Sequence, residues 1–181
     1  MSESPQEQFD LYNDPDAVFK RFSEKCQGKG FSEFVFYCNS LSFSYDWSKH
    51  QELSIFELTA HFLEILKNLS TQESVIVVAE DATKSNLQKF INSKMPGLEN
   101  SFQIDSRLDL INELEKASEE EQEKIMHDLL ESYKKKGVKE IVLGCTHFDD
   151  PNLESAPGLK VHQPGLALIN EVKEQFGARH E

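Results

Sequence analysis

Glu140-Ile141-Val142-Leu143-Gly144-Cys145-Thr146-His147 is the stretch on which the reading of this chain turns. A short apolar run of β-formers reads as a strand buried on both faces, and it ends in a thiol followed by small hydrogen-bonding side chains. Phe34-Val35-Phe36-Tyr37-Cys38-Asn39-Ser40, earlier in the chain, has the same design. An apolar strand, a thiol and then polar residues, met twice, form an approximate internal repeat. Between the two lies Val75-Ile76-Val77-Val78, the clearest buried strand in the sequence.

Working outward, each strand is followed or preceded by helical periodicity. Asp14 caps a predicted helix with Pro15 at its first position and Val18, Phe19 and Phe22 as its apolar stripe, ending before Gly28 and Gly30. Leu53 to Phe56 reads as a short strand, with Leu58, Phe62, Ile65 and Leu66 keeping helical spacing after it. A helix around Leu87 to Ile91 is stopped by Pro96 and Gly97, and another begins near Asp105 with Leu108, Ile111 and Leu114 on one face. Ser118 and Glu121 have the form of a capping box, from which Ile125, Leu129, Leu130 and Tyr133 carry an apolar face to Gly137. Val161 centres a weak strand, and Gly165 to Phe176 closes the chain as a helix. Strands alternating with helices predict an α/β fold of parallel sheets with helices on both faces.

Composition narrows the function. The 181 residues carry a formal charge of −13, with a pI near 4.9, so the surface repels phosphate backbones and anionic lipids; no nucleic-acid partner is expected. The one basic run, Lys134 to Lys136, falls at a predicted helix end, where it complements the macrodipole. No segment reads as a signal peptide or a membrane span, which leads to the expectation of a cytoplasmic protein without membrane contact. Three cysteines without regular spacing read as reduced thiols, Cys26 being structural. Zinc-type pairs of Cys or His are missing, as are a dinucleotide loop and a P-loop, so neither a metal nor NAD or ATP is expected.

In a parallel α/β sheet the carboxyl ends of the strands face the ligand crevice. Two thiols meeting there suit one reaction well: a proton leaves the α-carbon of an amino acid on one face and another returns on the other. A free cysteine has a pKa of roughly 8.5, so the attacking thiol must be held as thiolate beside its target. His147 is placed to share the proton of Cys145, while Asn39, Ser40 and Thr146 can hydrogen-bond a substrate's carboxylate and ammonium.

These motifs resemble those of the aspartate/glutamate racemase superfamily, whose glutamate racemases carry Cys-Asn-Thr in one lobe and Gly-Cys-Thr-His in the other. Here they read Cys38-Asn39-Ser40 and Gly144-Cys145-Thr146-His147. Val77-Val78-Ala79-Glu80-Asp81-Ala82-Thr83 is similar to the strand and Thr-x-Ala-Thr stretch that opens the second lobe, and the segment from Val161 to Ala167 resembles the return to the first. The resemblance implies two α/β lobes around one site: residues 13–71 with 163–181, and residues 72–162, after a flexible leader at 1–12. It makes Cys38 and Cys145 the acid/base thiols of a cofactor-independent racemase or epimerase of the glutamate or aspartate type, with His147 assisting Cys145. Asn39, Ser40, Thr83 and Thr146 then bind the substrate.

The chain departs from that pattern in three places. Nothing before Cys38 corresponds to the family's opening strand and Asp-Ser-Gly-x-Gly-Gly loop, so the first lobe is expected to be truncated. Its open sheet edge could be covered by the leader or by a second copy in a homodimer. Glu80 stands where the family has a threonine and would repel an acidic substrate, and Asp149 and Asp150 replace apolar residues. Two other functions fit the same residues: a catalytically inactive binding or regulatory protein, and a one-cysteine decarboxylase-type relative using Cys145 alone.

Overall fold

The computed structural model describes residues 14–31, 33–50, 54–98, 100–153 and 157–177. The leader expected at 1–12 lies outside them. The described chain runs α1 (Pro15–Gln27), β1 (Glu33–Phe36), α2 (Asn39–Ser44), β2 (Ser54–Glu57), α3 (Thr59–Asn68), β3 (Ser74–Val78) and α4 (Asp81–Lys94). It continues with β4 (Gln103–Ser106), α5 (Leu108–Leu114), α6 (Glu119–Lys135), β5 (Glu140–Leu143), β6 (Lys160–His162) and α7 (Pro164–Gly177). Local chemistry sets several of these boundaries. Asp14 accepts a hydrogen bond from the Ala17 N–H at 3.0 Å with Pro15 in the first turn of α1, and the Ser118–Glu121 capping box starts α6. Gly137 ends α6 with φ +86°, a conformation that a Cβ would penalise.

All strand pairs among the described residues are parallel. β1 lies beside β2 with Phe34 opposite Ile55, and the larger sheet has the order β4-β3-β5-β6. β3 shows why a strand in such a sheet is apolar throughout. Val75 and Val77 face Leu110, Ile111, Leu129 and Leu130 of α5 and α6, with Ile141 and Leu143 from β5 on the same side. Ile76 and Val78 face the opposite way, toward Phe62 and Leu66 of α3 and Leu87 and Ile91 of α4. Each fully buried valine or isoleucine contributes about 1.5–3 kcal/mol relative to exposure.

The smaller sheet is held differently. Two strands have too little shared surface to stand alone, and α1 supplies the missing layer through Phe19, whose ring packs on Phe34, Phe36, Tyr45 and Trp47 at centroid distances of 5.5–6.2 Å. Phe56 and Leu58 also pack on Leu168 of α7, so the last helix returns to the smaller sheet.

Three expectations need correction. β4 was not anticipated, and the helix expected from Asp105 starts at Leu108: Gln103-Ile104-Asp105-Ser106 has one apolar residue because an edge strand needs only one buried position, here Ile104. Leu108 does not join Ile111 and Leu114 in the core; it is 52% exposed. The stretch around β1 is not buried on both faces either, for Val35 is 46% exposed on a strand with one neighbour among the described residues. The side chains of Val18 and Phe22 lie outside the described part.

Candidate active site

The register of the large sheet brings the polar ends of β3 and β5 together. Val77 is opposite Leu143, and the Gly144 N–H donates to the Val77 carbonyl at 2.7 Å. Gly144 is required by that approach: a Cβ there would lie 2.9 Å from Val78 Cγ1 and 3.0 Å from the Val77 oxygen. The next residue, Cys145, therefore emerges beside the turn from β3 into α4, where Glu80 and Thr83 sit. Its backbone is extended, and Thr146 to Phe148 then form one 3₁₀ turn.

The residues singled out in sequence fall into two groups. Ser40 and Thr83, from α2 and α4, share a short hydrogen bond between their hydroxyls; this contact carries the Cys38-Asn39-Ser40 segment against the Thr83 end of the larger lobe. Asn39 is only 4% exposed, and its Oδ1 is buried without a hydrogen-bond partner among the described residues. In the second group, His147 Nδ1 lies 3.4 Å from Cys145 Sγ, and His147 Nε2 lies 3.9 Å from Glu115 Oε1 on the protein surface. Thr146 is half-buried in the 3₁₀ turn.

The thiols differ in setting. Cys145 is buried, packed with the cluster of α5 and α6, while Cys38 is half-buried against Phe19, Leu41 and Tyr45. Burial pushes the Cys145 thiol up to about 11; a hydrogen bond from the His147 backbone opposes this, and the charges of Cys38, Asp149 and Glu80 add to it. A thiol in that setting is protonated at neutral pH.

Two residues not anticipated as site residues complete the constellation. The Tyr37 hydroxyl donates to Asp149 Oδ2 at 2.5 Å, and burial first, then this bond and the Asp149 charge, push the phenol well above its ordinary range, with Cys145 adding to the effect. Burial also raises Asp149, to about 6, although the Tyr37 bond lowers it. Asp149 Oδ1 is buried and has no hydrogen-bond partner among the described residues. The signal was adjacency: Tyr37 precedes one cysteine and Asp149 follows the Cys145-Thr146-His147 turn. Gly165 explains how the carboxylate fits, because a Cβ at Gly165 would lie 1.8 Å from Asp149 Oδ2 and 2.9 Å from Tyr37 Cε2.

Two parallel sheets in sequence, the first reached again by the last helix, with a cysteine just past a strand end in each, can be compared with known folds. Solved structures similar to this one include the aspartate racemase of Picrophilus torridus, at 12% identity and a TM-score of 0.59, covering 98% of this chain and 84% of that one. The chain has the aspartate/glutamate racemase fold. A glutamate racemase isoform of Bacillus anthracis aligns over 90% of this chain with 12% identity and a TM-score of 0.55. Glutamate racemase from Campylobacter jejuni gives 16% and 0.52 over 90% of this chain and 69% of its own. This racemase-fold chain spans 64% of the length of the Bacillus anthracis protein. Its sequence matches no protein-family model and no curated protein. The fold is thus that of the superfamily whose cysteine motifs its sequence resembles.

Among the described residues, no helix is long and apolar enough to cross a membrane, and no group of three or more His, Cys, Asp or Glu side chains is arranged to hold a metal ion. A surface groove of about 680 Å³ runs between α5 and α6 past Asp109, Lys116 and Lys124 and contains neither thiol.

Proposed function

We propose that this chain is a cofactor-independent amino-acid racemase or epimerase in which Cys38 and Cys145 remove and return the α-proton. The observation that carries the reading is the joining of the two thiol-bearing segments past the carboxyl ends of β1 and β5, by the Tyr37–Asp149 and Ser40–Thr83 hydrogen bonds. In this scheme Cys38 takes the α-proton while Cys145, protonated at neutral pH, delivers its own to the opposite face. One proton leaves carbon and one arrives, so the net charge of the substrate is unchanged. For the other enantiomer the roles exchange, and His147, 3.4 Å away, relieves Cys145 of its proton with Glu115 behind it. Asn39, Ser40, Thr83 and Thr146 orient the substrate's α-carboxylate and ammonium, which supplies proximity rather than chemistry.

Glutamate and aspartate are the first amino acids to test, the similar structures being those of glutamate and aspartate racemases. The test is α-proton exchange in deuterated water, followed by NMR, for the wild-type chain and for Cys38→Ala and Cys145→Ala. Exchange abolished in both variants supports the two-thiol scheme, and exchange surviving in Cys38→Ala alone leaves the one-cysteine alternative.

A second reading, a non-catalytic binding protein of the same fold, is favoured by one observation: Cys145 is buried and pushed to about 11, the reverse of what an activated base requires. No exchange from a folded wild-type chain with any amino acid would favour it.

A further inference from the structure

We propose that the crevice selects an amino acid whose side chain ends in a cation, an ammonium or a guanidinium, and that Asp149 is the residue that receives it; this rests on Cys38 and Cys145 being the reacting thiols.

The charges around the thiols carry the argument. Glu80, at the end of β3, and Asp149, just past the 3₁₀ turn, both act on Cys145 as negative charges. The guanidinium at the end of the neighbouring strand β4 does not balance them: Arg107 is committed to Asp109, with Nε 3.0 and 3.2 Å and Nη2 2.9 Å from its carboxylate oxygens. Every amino acid brings an α-carboxylate, for which the half-buried Thr146 offers a hydroxyl, those of Ser40 and Thr83 being bonded to each other. A second carboxylate on the side chain would meet Glu80 and Asp149 in a partly desolvated space, where like charges repel strongly. A side-chain cation would be attracted by both.

Unused hydrogen-bonding capacity points the same way. Asp149 Oδ2 is taken by Tyr37, but Oδ1 is buried with no partner. Asn39 Oδ1, one residue beyond Cys38 in a side chain almost wholly buried, is also without one. Both atoms accept hydrogen bonds and neither can donate. Buried acceptors left unpaired are costly, so each calls for a donor, and ammonium or guanidinium groups carry only donors. Asp149 is held between the Tyr37 hydroxyl and the bare backbone of Gly165.

The test compares L- and D-lysine and arginine with L- and D-glutamate and aspartate, using the full chain at neutral pH, by α-proton exchange and by NMR-detected binding. The expected result is at least a tenfold preference for the basic amino acids. In Asp149→Asn, which can still accept from Tyr37, that preference should fall about tenfold through KM, with the circular dichroism spectrum unchanged. Exchange that favours glutamate or aspartate would overturn the selectivity and leave the racemase reading intact. Binding of lysine or arginine without exchange, weakened in Asp149→Asn, would support the selectivity and overturn the reading of the thiols. Neither binding nor exchange with any of the four would overturn both.

Discussion

Tyr37 and Asp149, 112 positions apart in sequence, are joined by a hydrogen bond of 2.5 Å. Tyr37 follows the strand that leads to Cys38, and Asp149 follows the turn that holds Cys145, so the bond ties the two thiol-bearing segments to each other. Replacing Tyr37 with Phe removes the donor and leaves a half-buried carboxylate with less support. A loss of about 1–3 kcal/mol at pH 7.5 is expected, and a smaller loss at pH 5, where much of Asp149 carries a proton. Urea denaturation at the two pH values measures this, and an equal loss at both would show that the bond does not act through the carboxylate's charge.

Asp149 itself gives the fold a pH dependence with a definite sign. Its folded-state pKa, about 6, lies above the ordinary value of 3.8, so between those values the folded chain binds more protons than the unfolded one. Stability from this group is therefore present below about pH 4 and is lost as pH rises through about 6. Discounted for the partial exposure of the side chain, the loss is about 1–2 kcal/mol. Asp149→Asn should be more stable than the wild type at pH 7.5 by that amount, and the difference should shrink toward pH 4. A pH-independent difference between the two proteins would contradict the assignment.

Gly165 is a contact residue whose lack of a side chain matters. Adding one methyl group places a carbon 1.8 Å from Asp149 Oδ2, closer than any packing allows. Gly165→Ala should cost about 1–3 kcal/mol as an overpacking change. Most of that cost should disappear in the double variant with Asp149→Ala, which removes the clashing oxygens. Thermal denaturation of the four proteins in this cycle reads the coupling; additive effects would mean that Gly165 tolerates the methyl by moving its helix instead.

Cys145 is buried and protonated at neutral pH, so it should react slowly with iodoacetamide. Cys26 and Cys38, both half-buried, should be alkylated first at pH 7.5, and labelling of Cys145 should rise with pH toward about 11. Peptide mass spectrometry after timed quenching distinguishes the sites. Modification of Cys145 ahead of both others at pH 7.5 would mean that its thiol is opened and activated in solution.

The sequence was most informative where one element's environment is uniform. Val75 to Val78 are apolar at every position because helices cover both faces of β3, and that pattern survives in the sequence alone. Gly144-Cys145-Thr146-His147 was legible for a similar reason: the glycine is required by the approach of β5 to β3, and the residues after it are the ones a strand end presents. β4 was illegible because an edge strand with one buried residue, Ile104, carries no periodic signal. The exposure of Val35 was hidden too, since an apolar run says nothing about how many strands will lie beside it.

The linear order of residues determined the α/β alternation, the parallel strands and the two thiols at strand ends, since hydrophobic period and residue type are local properties. Tertiary structure alone decided that Tyr37, Asp149 and Gly165 meet, that Ser40 bonds to Thr83, and that two buried oxygens near the thiols lack partners. Those facts depend on which chain segments cross at the strand ends, and contacts between residues over a hundred positions apart leave no pattern in either neighbourhood. The chemistry of the crevice, two thiols among negative charges, is set by that crossing.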